Sequence, residues 1–357
     1  GIDEAIVVAV ADEDERGAEQ AAARTGARKT YRSYAEMLEK EKPDIVSICP
    51  RWCSERAEMV EAAAAAGVKG ILCEKPFAAS LEDADRIVEA CERHGIKMVV
   101  AHRRTSGYEL HAFNLVRQGV IGEIRTMRGM GKGDERAGAQ DFAVLGPHIV
   151  DSMRFFARSE VLWAHGHVTQ DGRPVTPADV REGDEGIGLI AGNGLTAFYV
   201  FANGMTATYE SYPSDRPGSS RFGFEVYGTR GILSIRNSPR GELYLYPHDT
   251  VLPSDGIQWE RIWLPEWETD EAGRQLSGRD WTHRSNSLIA EDLVRAILED
   301  TEPRVASTVH DARAGLEMIH AVHASHISGG RVYFPLADRK NPYEAWASDP
   351  LVSRSGN

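Results

Sequence analysis

Residues 70–78 read GILCEKPFA. A short apolar run, Ile71-Leu72-Cys73, stops abruptly at Glu74, Lys75 and Pro76. An apolar run of this length between turn formers predicts a buried strand. Lys75 stands at its C-terminal end, and Pro76 pins the turn behind it by locking φ. A charge carried to the end of a core strand costs desolvation unless it is used. A desolvated lysine there can donate a hydrogen bond to a hydroxyl or carbonyl, or shift its pKa enough to trade a proton. Glu74 can orient that ammonium, or the two form a plain strand-end ion pair.

Outward from this stretch the first hundred residues alternate strand and helix patterns. Strands are predicted at Ile6–Ala11, Asp44–Pro50, Gly70–Cys73 and Lys97–Ala101, and helices at Arg16–Thr25, Tyr34–Lys42, Ser54–Ala66 and from the Ser80 cap to His94, with Gly95 as the stop. Short apolar strands alternating with helices predict a Rossmann-type parallel sheet with crossover helices, whose ligands bind beyond the C-terminal strand ends. From His102 the grammar changes. A helix over Glu109–Gln118 leads into strands near Ile124–Gly129, Val161–Val168, Gly186–Ile190, Leu195–Phe201, Met205–Ser211, Arg221–Tyr227, Gly231–Ile235 and Leu243–Tyr246. Their alternation predicts a large, open, mostly antiparallel sheet in an α+β domain. Asn203-Gly204 signals a hairpin. Long helices at Ser285–Glu299 and Val309–Gly329 and a strand at Arg331–Pro335 close the chain, while Pro247–Gly278 reads as a long loop. The domains divide as 1–101 and 102–357.

At 357 residues two domains are expected. A net charge of -13 argues against nucleic-acid or acidic-membrane partners. No apolar run approaches the ~20 residues of a membrane span. Cys49, Cys53, Cys73 and Cys91 lack zinc-ribbon spacing and read as reduced thiols of a cytoplasmic protein. The chain begins at glycine rather than methionine, as a processed or truncated form would.

Asp12 closes the first strand run. An acid there in a dinucleotide fold accepts from a ribose 2′-OH and repels a 2′-phosphate, which favours NAD over NADP, although Arg16 could counter a phosphate. Asp12 also reads as a turn residue in the acidic stretch ADEDE. The partner of such an acid, a G-x-G-x-x-G turn roughly twenty residues upstream, is absent, so the first strand of the Rossmann sheet is expected to be missing from this chain. Gly129–Gly133, GMGKG, follows a strand but lies in the second domain and is not a phosphate loop.

The stretch CEKPFAASLEDADRIVEACERHGIKMVVAHRR (73–104) resembles the Gfo/Idh/MocA family of sugar and polyol oxidoreductases, whose hallmark is Glu-Lys-Pro after a Rossmann strand. LVRQGVIGEI (115–124), LGPHIVDSMRFFA (145–157) and GLEMIHAVHASHISGGRVYFPL (315–336) resemble later segments of the family, so the likeness runs nearly the whole chain. The resemblance implies hydride transfer between a sugar carbon and NAD or NADP, with Lys75 assisting proton transfer. It also implies cofactor contacts at Asp12, Pro50, Glu74, Lys75 and Arg104, and homodimers or homotetramers packed through the open sheet. His148 is the family's active-site histidine by position. It ordinarily ends an Asp-x-x-x-His spacing, but here Val144 stands four residues earlier. Asp151, three residues on, is the better-placed partner for a His148 ring nitrogen, ahead of Asp141.

Lys132, Asp134, Arg136 and Asp141 form a charged loop before His148, able to bind a substrate hydroxyl or carboxylate or a metal, or simply solvated. His102 opens the second domain beside Arg103 and Arg104 as a further substrate contact. His165 and His167 share one strand face, and His320, His323 and His326 recur along one helix, without the acidic or cysteine spacing of a metal site. Three readings remain open from sequence. The first is an NAD(P)-dependent oxidoreductase of a sugar, polyol or keto-sugar. The second is a cofactor-independent, possibly metal-assisted lyase, epimerase or hydrolase on a degenerate Rossmann scaffold. The third is a non-catalytic sugar-binding subunit.

Overall fold

The computed structural model describes residues 2, 4–215, 221–237 and 240–348. The first hundred residues form β1 Ala9–Ala11, α1 Glu15–Thr25, β2 Lys29–Tyr31, α2 Tyr34–Glu41, β3 Ile45–Ile48, α3 Arg56–Ala65, β4 Gly70–Cys73, α4 Leu81–His94 and β5 Lys97–Val100. Local chemistry sets the ends of α4. The Ser80 hydroxyl accepts the Asp83 N–H at 3.1 Å, and Gly95 leaves the helix at φ 66°, a left-handed turn that costs glycine nothing. The buried face of α4 is Leu81, Ala84, Ile87, Ala90 and Cys91, the three-and-four spacing of an amphipathic helix.

Strands β3, β4 and β5 run parallel, with β4 central. Strands β1 and β2 form a separate parallel pair. The second edges of β1 and β3 carry no strand partner among the described residues. The run expected to start at Ile6 therefore pairs only over its last three residues, and Ile6 is 80% exposed. The small pair is tied to the larger sheet through α2, whose Leu38 shares a core with Ile48, Val60 and Ile71.

The remainder comprises α5 Gly107–Arg117, β6 Ile124–Met130, α6 Ala139–Val144, α7 Gly146–Ala157, β7 Val161–Gln170, β8 Arg173–Pro174, β9 Arg181–Glu182, β10 Leu189–Ile190, β11 Gly194–Phe201, β12 Thr206–Ser211, β13 Gly223–Gly228, β14 Ile232–Arg236, β15 Glu242–Tyr246, β16 Glu260–Ile262, α8 Pro265–Glu268, α9 Gly278–Glu299, β17 Ser307–Thr308, α10 Val309–Ser328, β18 Val332–Tyr333 and α11 Pro342–Ser348. Ten of these strands make one sheet, β16-β15-β14-β13-β6-β12-β11-β7-β18 with β8 beside β7. Every pair in it is antiparallel except β12–β6. The hairpin at Asn203-Gly204 joins β11 to β12 as its sequence predicts, with Gly204 at φ 84°.

One face of this sheet is packed and the other is open. Ala197 and Tyr199 of β11, with Ala207 and Tyr209 of β12, point inward against Ile149, Val150 and Met153 of α7 and Ala321 and Val322 of α10. Helix α10 lies so close to β7 that a Cβ at Gly166 would sit 2.3 Å from the Val322 carbonyl. The alternate residues, among them His165, His167, Thr196 and Phe198, face outward in register. The strand expected over Gly186–Ile190 is instead a tight turn followed by the two-residue β10, because Gly186 and Gly188 both take positive φ.

The chain then returns to the first sheet. Ile289 and Leu293 of α9 pack on Val99 and Ala306, and β17 pairs antiparallel with β5, Ser307 opposite Val100. Elements distant in sequence thus meet at the C-terminal edge of the parallel strands.

Candidate active site

Arg56 builds the floor of that edge. It is 1% exposed, donates to the Pro50 carbonyl at 2.6 Å, and donates to the Glu74 carbonyl at 2.7 Å. One guanidinium therefore ties the ends of β3 and β4 together and satisfies two carbonyls that the ladder leaves free. This role is not legible in the sequence, because an arginine entering a helix reads as a solvated residue.

Lys75 emerges above this clamp, as its sequence position predicts. Its Nζ donates to the Val144 carbonyl at 3.1 Å and lies 3.8 Å from Glu185 Oε2. Burial lowers its pKa, Glu185 and Glu74 push back upward, and Arg136 and Arg103 add to the lowering. The Glu74 carboxylate accepts the Lys75 backbone N–H at 3.3 Å. Glu185 lies 110 positions away in sequence and was not foreseen.

His148 enters α7 one turn from Val144 and is buried. Its pKa falls well below the ordinary histidine value, first through burial and then through the charges of Arg103, His102 and Lys75. The ring is therefore neutral at pH 7, and its Nδ1 is buried with no hydrogen-bond partner among the described residues. The expected pairing with Asp151 is corrected by the structure. Asp151 Oδ1 lies 3.3 Å from His102 Nδ1 and accepts the Ser307 hydroxyl at 2.7 Å, and Oδ2 lies 3.4 Å from Arg104. The physical reason is the return of β17, which brings Ser307 against β5 and draws the carboxylate away from its own helix. Burial pushes the Asp151 carboxyl up, but Arg104 and His102 outweigh it and hold it below its usual range.

Because the Ser307 hydroxyl spends its proton on Asp151, its oxygen accepts from His102 Nδ1 at 3.0 Å. That places a proton on His102 Nδ1 and leaves its Nε2 buried, without a partner among the described residues. The His102 and His148 rings meet edge to face at 5.7 Å. A further buried acid, Glu109 of α5, accepts from Ser152 of α7, and burial raises its pKa to about 7. Neither the dyad nor Glu109 has a sequence signature, since each joins elements that only the fold brings together.

The remaining expected residues divide. Arg104, expected at the cofactor, is corrected. It is buried, pairs with Asp311 and Asp151, and donates to the Ala306 carbonyl at 3.3 Å. Asp141, expected to bind substrate, is fully buried. Its Oδ2 accepts from Ser211 at 2.6 Å, Tyr209 at 3.2 Å and the Lys132 N–H at 3.2 Å, so it braces the loop against β12. Asp134 and Arg136 pair with each other, with Lys132 3.9 Å from Asp134. Arg103 donates to the Asn237 carbonyl at 2.6 Å while its charge bears on His148 and Lys75.

Asp12 lies exposed just past β1, where its Oδ1 accepts the Asp14 N–H at 2.9 Å and its other oxygen faces Gly17. Asp12 suits a ribose hydroxyl, and the Pro50–Lys75 edge suits the opposite end of a dinucleotide. The residues present fit such a cofactor at those two ends. No glycine-rich strand-to-helix turn stands between them among the described residues to cradle a pyrophosphate. His165 and His167 are exposed on the open face, and His323 Nδ1 meets the Tyr343 hydroxyl at 3.0 Å. Among the described residues, no three His, Cys, Asp or Glu side chains gather as a metal ion requires, and no helix is long and apolar enough to cross a membrane.

The pattern of the oxidoreductase family with an NAD-binding Rossmann fold, Gfo/Idh/MocA, matches residues 2–102. Those residues carry the likeness to the Gfo/Idh/MocA oxidoreductases. A D-apiose dehydrogenase of Paraburkholderia graminis is 43% identical over 99 residues, covering 28% of this chain and 26% of that protein. A levoglucosan dehydrogenase of Pseudarthrobacter phenanthrenivorans is 28% identical over 212 residues, 52% of this chain and 54% of that protein. Those matches thus span about a quarter and about half of the relatives' lengths. A levoglucosan dehydrogenase solved with NADH and levoglucosan superposes with a TM-score of 0.68 at 20% identity, covering 92% of this chain and 90% of that one, so the two share a fold.

Proposed function

We propose that the protein is an NAD(P)-dependent oxidoreductase of a sugar, polyol or keto-sugar. The observation that carries this reading is the meeting of Lys75, at the end of β4, with the segment that leads into His148. A half-buried ammonium and a neutral imidazole are brought to one place by two domains, each with a role in moving a proton. The names of the relatives, dehydrogenases of D-apiose and levoglucosan, support a small carbohydrate as substrate.

When bound, the nicotinamide supplies the two-electron acceptor or donor. The chain's own residues do the rest. Lys75 donates a hydrogen bond to the reacting oxygen and stabilises negative charge there. His148 accepts the hydroxyl proton in the oxidative direction. Arg103 adds positive charge beside both. Asp12 holds the distal ribose, which favours NAD, while Pro50 and Glu74 form the edge on which the near end rests. The polar open face of the ten-stranded sheet is the surface through which a homodimer or homotetramer would form.

Titration with NADH, followed by its fluorescence, tests the reading. Saturable binding is expected, together with loss of sugar-dependent turnover in Lys75→Met without loss of NADH binding. No binding at millimolar NADH would overturn the redox assignment.

A further inference from the structure

Glu185 is buried, charged and unaccounted for by the reaction as described. It lies in the turn Gly183–Gly188, which closes the β9–β10 hairpin through the Gly183 N–H donating to the Gly188 carbonyl at 2.8 Å. The backbone of Glu185 is left-handed, φ 65°, a conformation that disfavours any residue with a Cβ. Its neighbours Gly186 and Gly188 also have positive φ, so the turn is wound for glycine and yet carries a glutamate at its tip.

That tip is fastened to the first domain. The Cys53 N–H donates to the Glu185 carbonyl at 2.9 Å, and the Cys53 thiol donates to the Gly186 carbonyl at 3.2 Å. A Cβ at Gly186 would lie 3.1 Å from the Ser54 nitrogen, so the two backbones are in close approach. From the second domain the Gln140 side chain accepts the Asp184 N–H at 3.0 Å. The carboxylate is thus held from both sides. Its Oε1 accepts from Arg51 Nε at 3.1 Å, and its Oε2 faces the Lys75 ammonium at 3.8 Å.

We infer that Glu185 is a positioning residue for Lys75, delivered by the hairpin turn to hold the ammonium protonated and aimed into the cleft. The inference rests on Lys75 carrying the proposed reaction. The helix leading to His148 offers Lys75 only the Val144 carbonyl, a neutral acceptor. Burial and the charges of Arg103 and Arg136 press the ammonium to give up its proton. Two carboxylates oppose them, Glu185 first and Glu74 second; Glu185 is the one delivered from across the cleft, and Arg51 keeps it from swinging away. Strain at φ 65° is tolerated because the turn is fixed at four points, as is common where backbone strain serves a site.

The test needs neither sugar nor cofactor. The rate at which Lys75 reacts with trace acetic anhydride is measured against pH, read by mass spectrometry on its peptide, in the full-length protein. In Glu185→Gln the midpoint of reactivity is expected to move to lower pH. A shift of half a unit is roughly a threefold rise in the reactive fraction below the midpoint. Glu185→Gly serves as the second variant. Glycine relieves the left-handed strain, so the protein is expected to melt no lower, while Lys75 still shifts. Glu185→Asp should restore part of the wild-type midpoint. An unchanged Lys75 midpoint in both Glu185→Gln and Glu185→Gly overturns the inference, whatever the substrate proves to be. If NADH fails to bind while Lys75 does shift, the redox reading falls and the role of Glu185 stands.

Discussion

Asp151, three residues after His148 on the same helix, gives its carboxylate to His102, with Oδ1 3.3 Å from Nδ1. The pair crosses from α7 to the segment that leaves β5, and Ser307 of β17 closes it into a three-way joint. The same carboxylate also serves Arg104.

Asp151→Asn tests this joint. Neutralising the acid leaves Arg104 and His102 with one fewer partner in a buried site. Breaking a buried charge pair costs about 3–5 kcal/mol. The retained hydrogen bonds of asparagine place the expected loss at the low end, about 3 kcal/mol. Urea unfolding monitored by tryptophan fluorescence measures it, and a loss under about 0.5 kcal/mol would show the joint to be ornamental.

Glu109 predicts a pH slope in stability. Its carboxyl is pushed from 4.5 up to about 7 in the folded protein, chiefly by burial. Between those values the folded chain keeps a proton that the unfolded chain has lost, so stability falls as pH rises. The contribution is fully present below the unfolded value and gone above the folded one, on the order of 3 kcal/mol in all. Glu109→Gln should flatten that segment of the stability profile and make the protein relatively more stable at pH 8 than wild type. Equal slopes in the two proteins from pH 5 to pH 7.5 would refute the assignment.

Gly131 stands where β6 hands over to the charged loop. A Cβ there would lie 2.0 Å from Asp141 Oδ2 and 2.7 Å from Ser211 Oγ. Gly131→Ala therefore forces apart the brace that anchors Lys132, Asp134 and Arg136. Overpacking of this kind costs about 1–3 kcal/mol. Thermal denaturation should show that loss, and limited proteolysis should show earlier cutting between residues 132 and 138.

Much of the fold was legible because its signals are local. Strand β4 has the bounds its apolar run suggests, α4 keeps its Ser80 cap and Gly95 stop, and Asn203-Gly204 turns β11 into β12. Strand β2, Lys-Thr-Tyr, escaped notice because it is largely exposed and has no apolar run. Strand β17 is two residues long and owes its existence to β5. At the site, the position of Lys75 follows from strand and proline alone. Its partner Glu185, the clamp by Arg56 and the Asp151–His102 pairing are contacts between segments far apart in sequence, set by which surfaces the two domains bring together. The missing acid before His148 was visible as Val144, but the contacts of Lys75 with the Val144 carbonyl and with Glu185 were not.

The edges of β1 and β3 that carry no strand partner among the described residues have a consequence for how the molecule comes apart. Among the described residues, the pair β1–β2 joins the core of the larger sheet through Leu38 of α2, whereas β4 is flanked on both sides and covered by helices. Amide hydrogens of Val10 and Ala11 should exchange with deuterium long before those of Ile71 and Leu72. The first forty residues then open ahead of the sheet centred on β4, and the main unfolding transition reports the rest of the described chain.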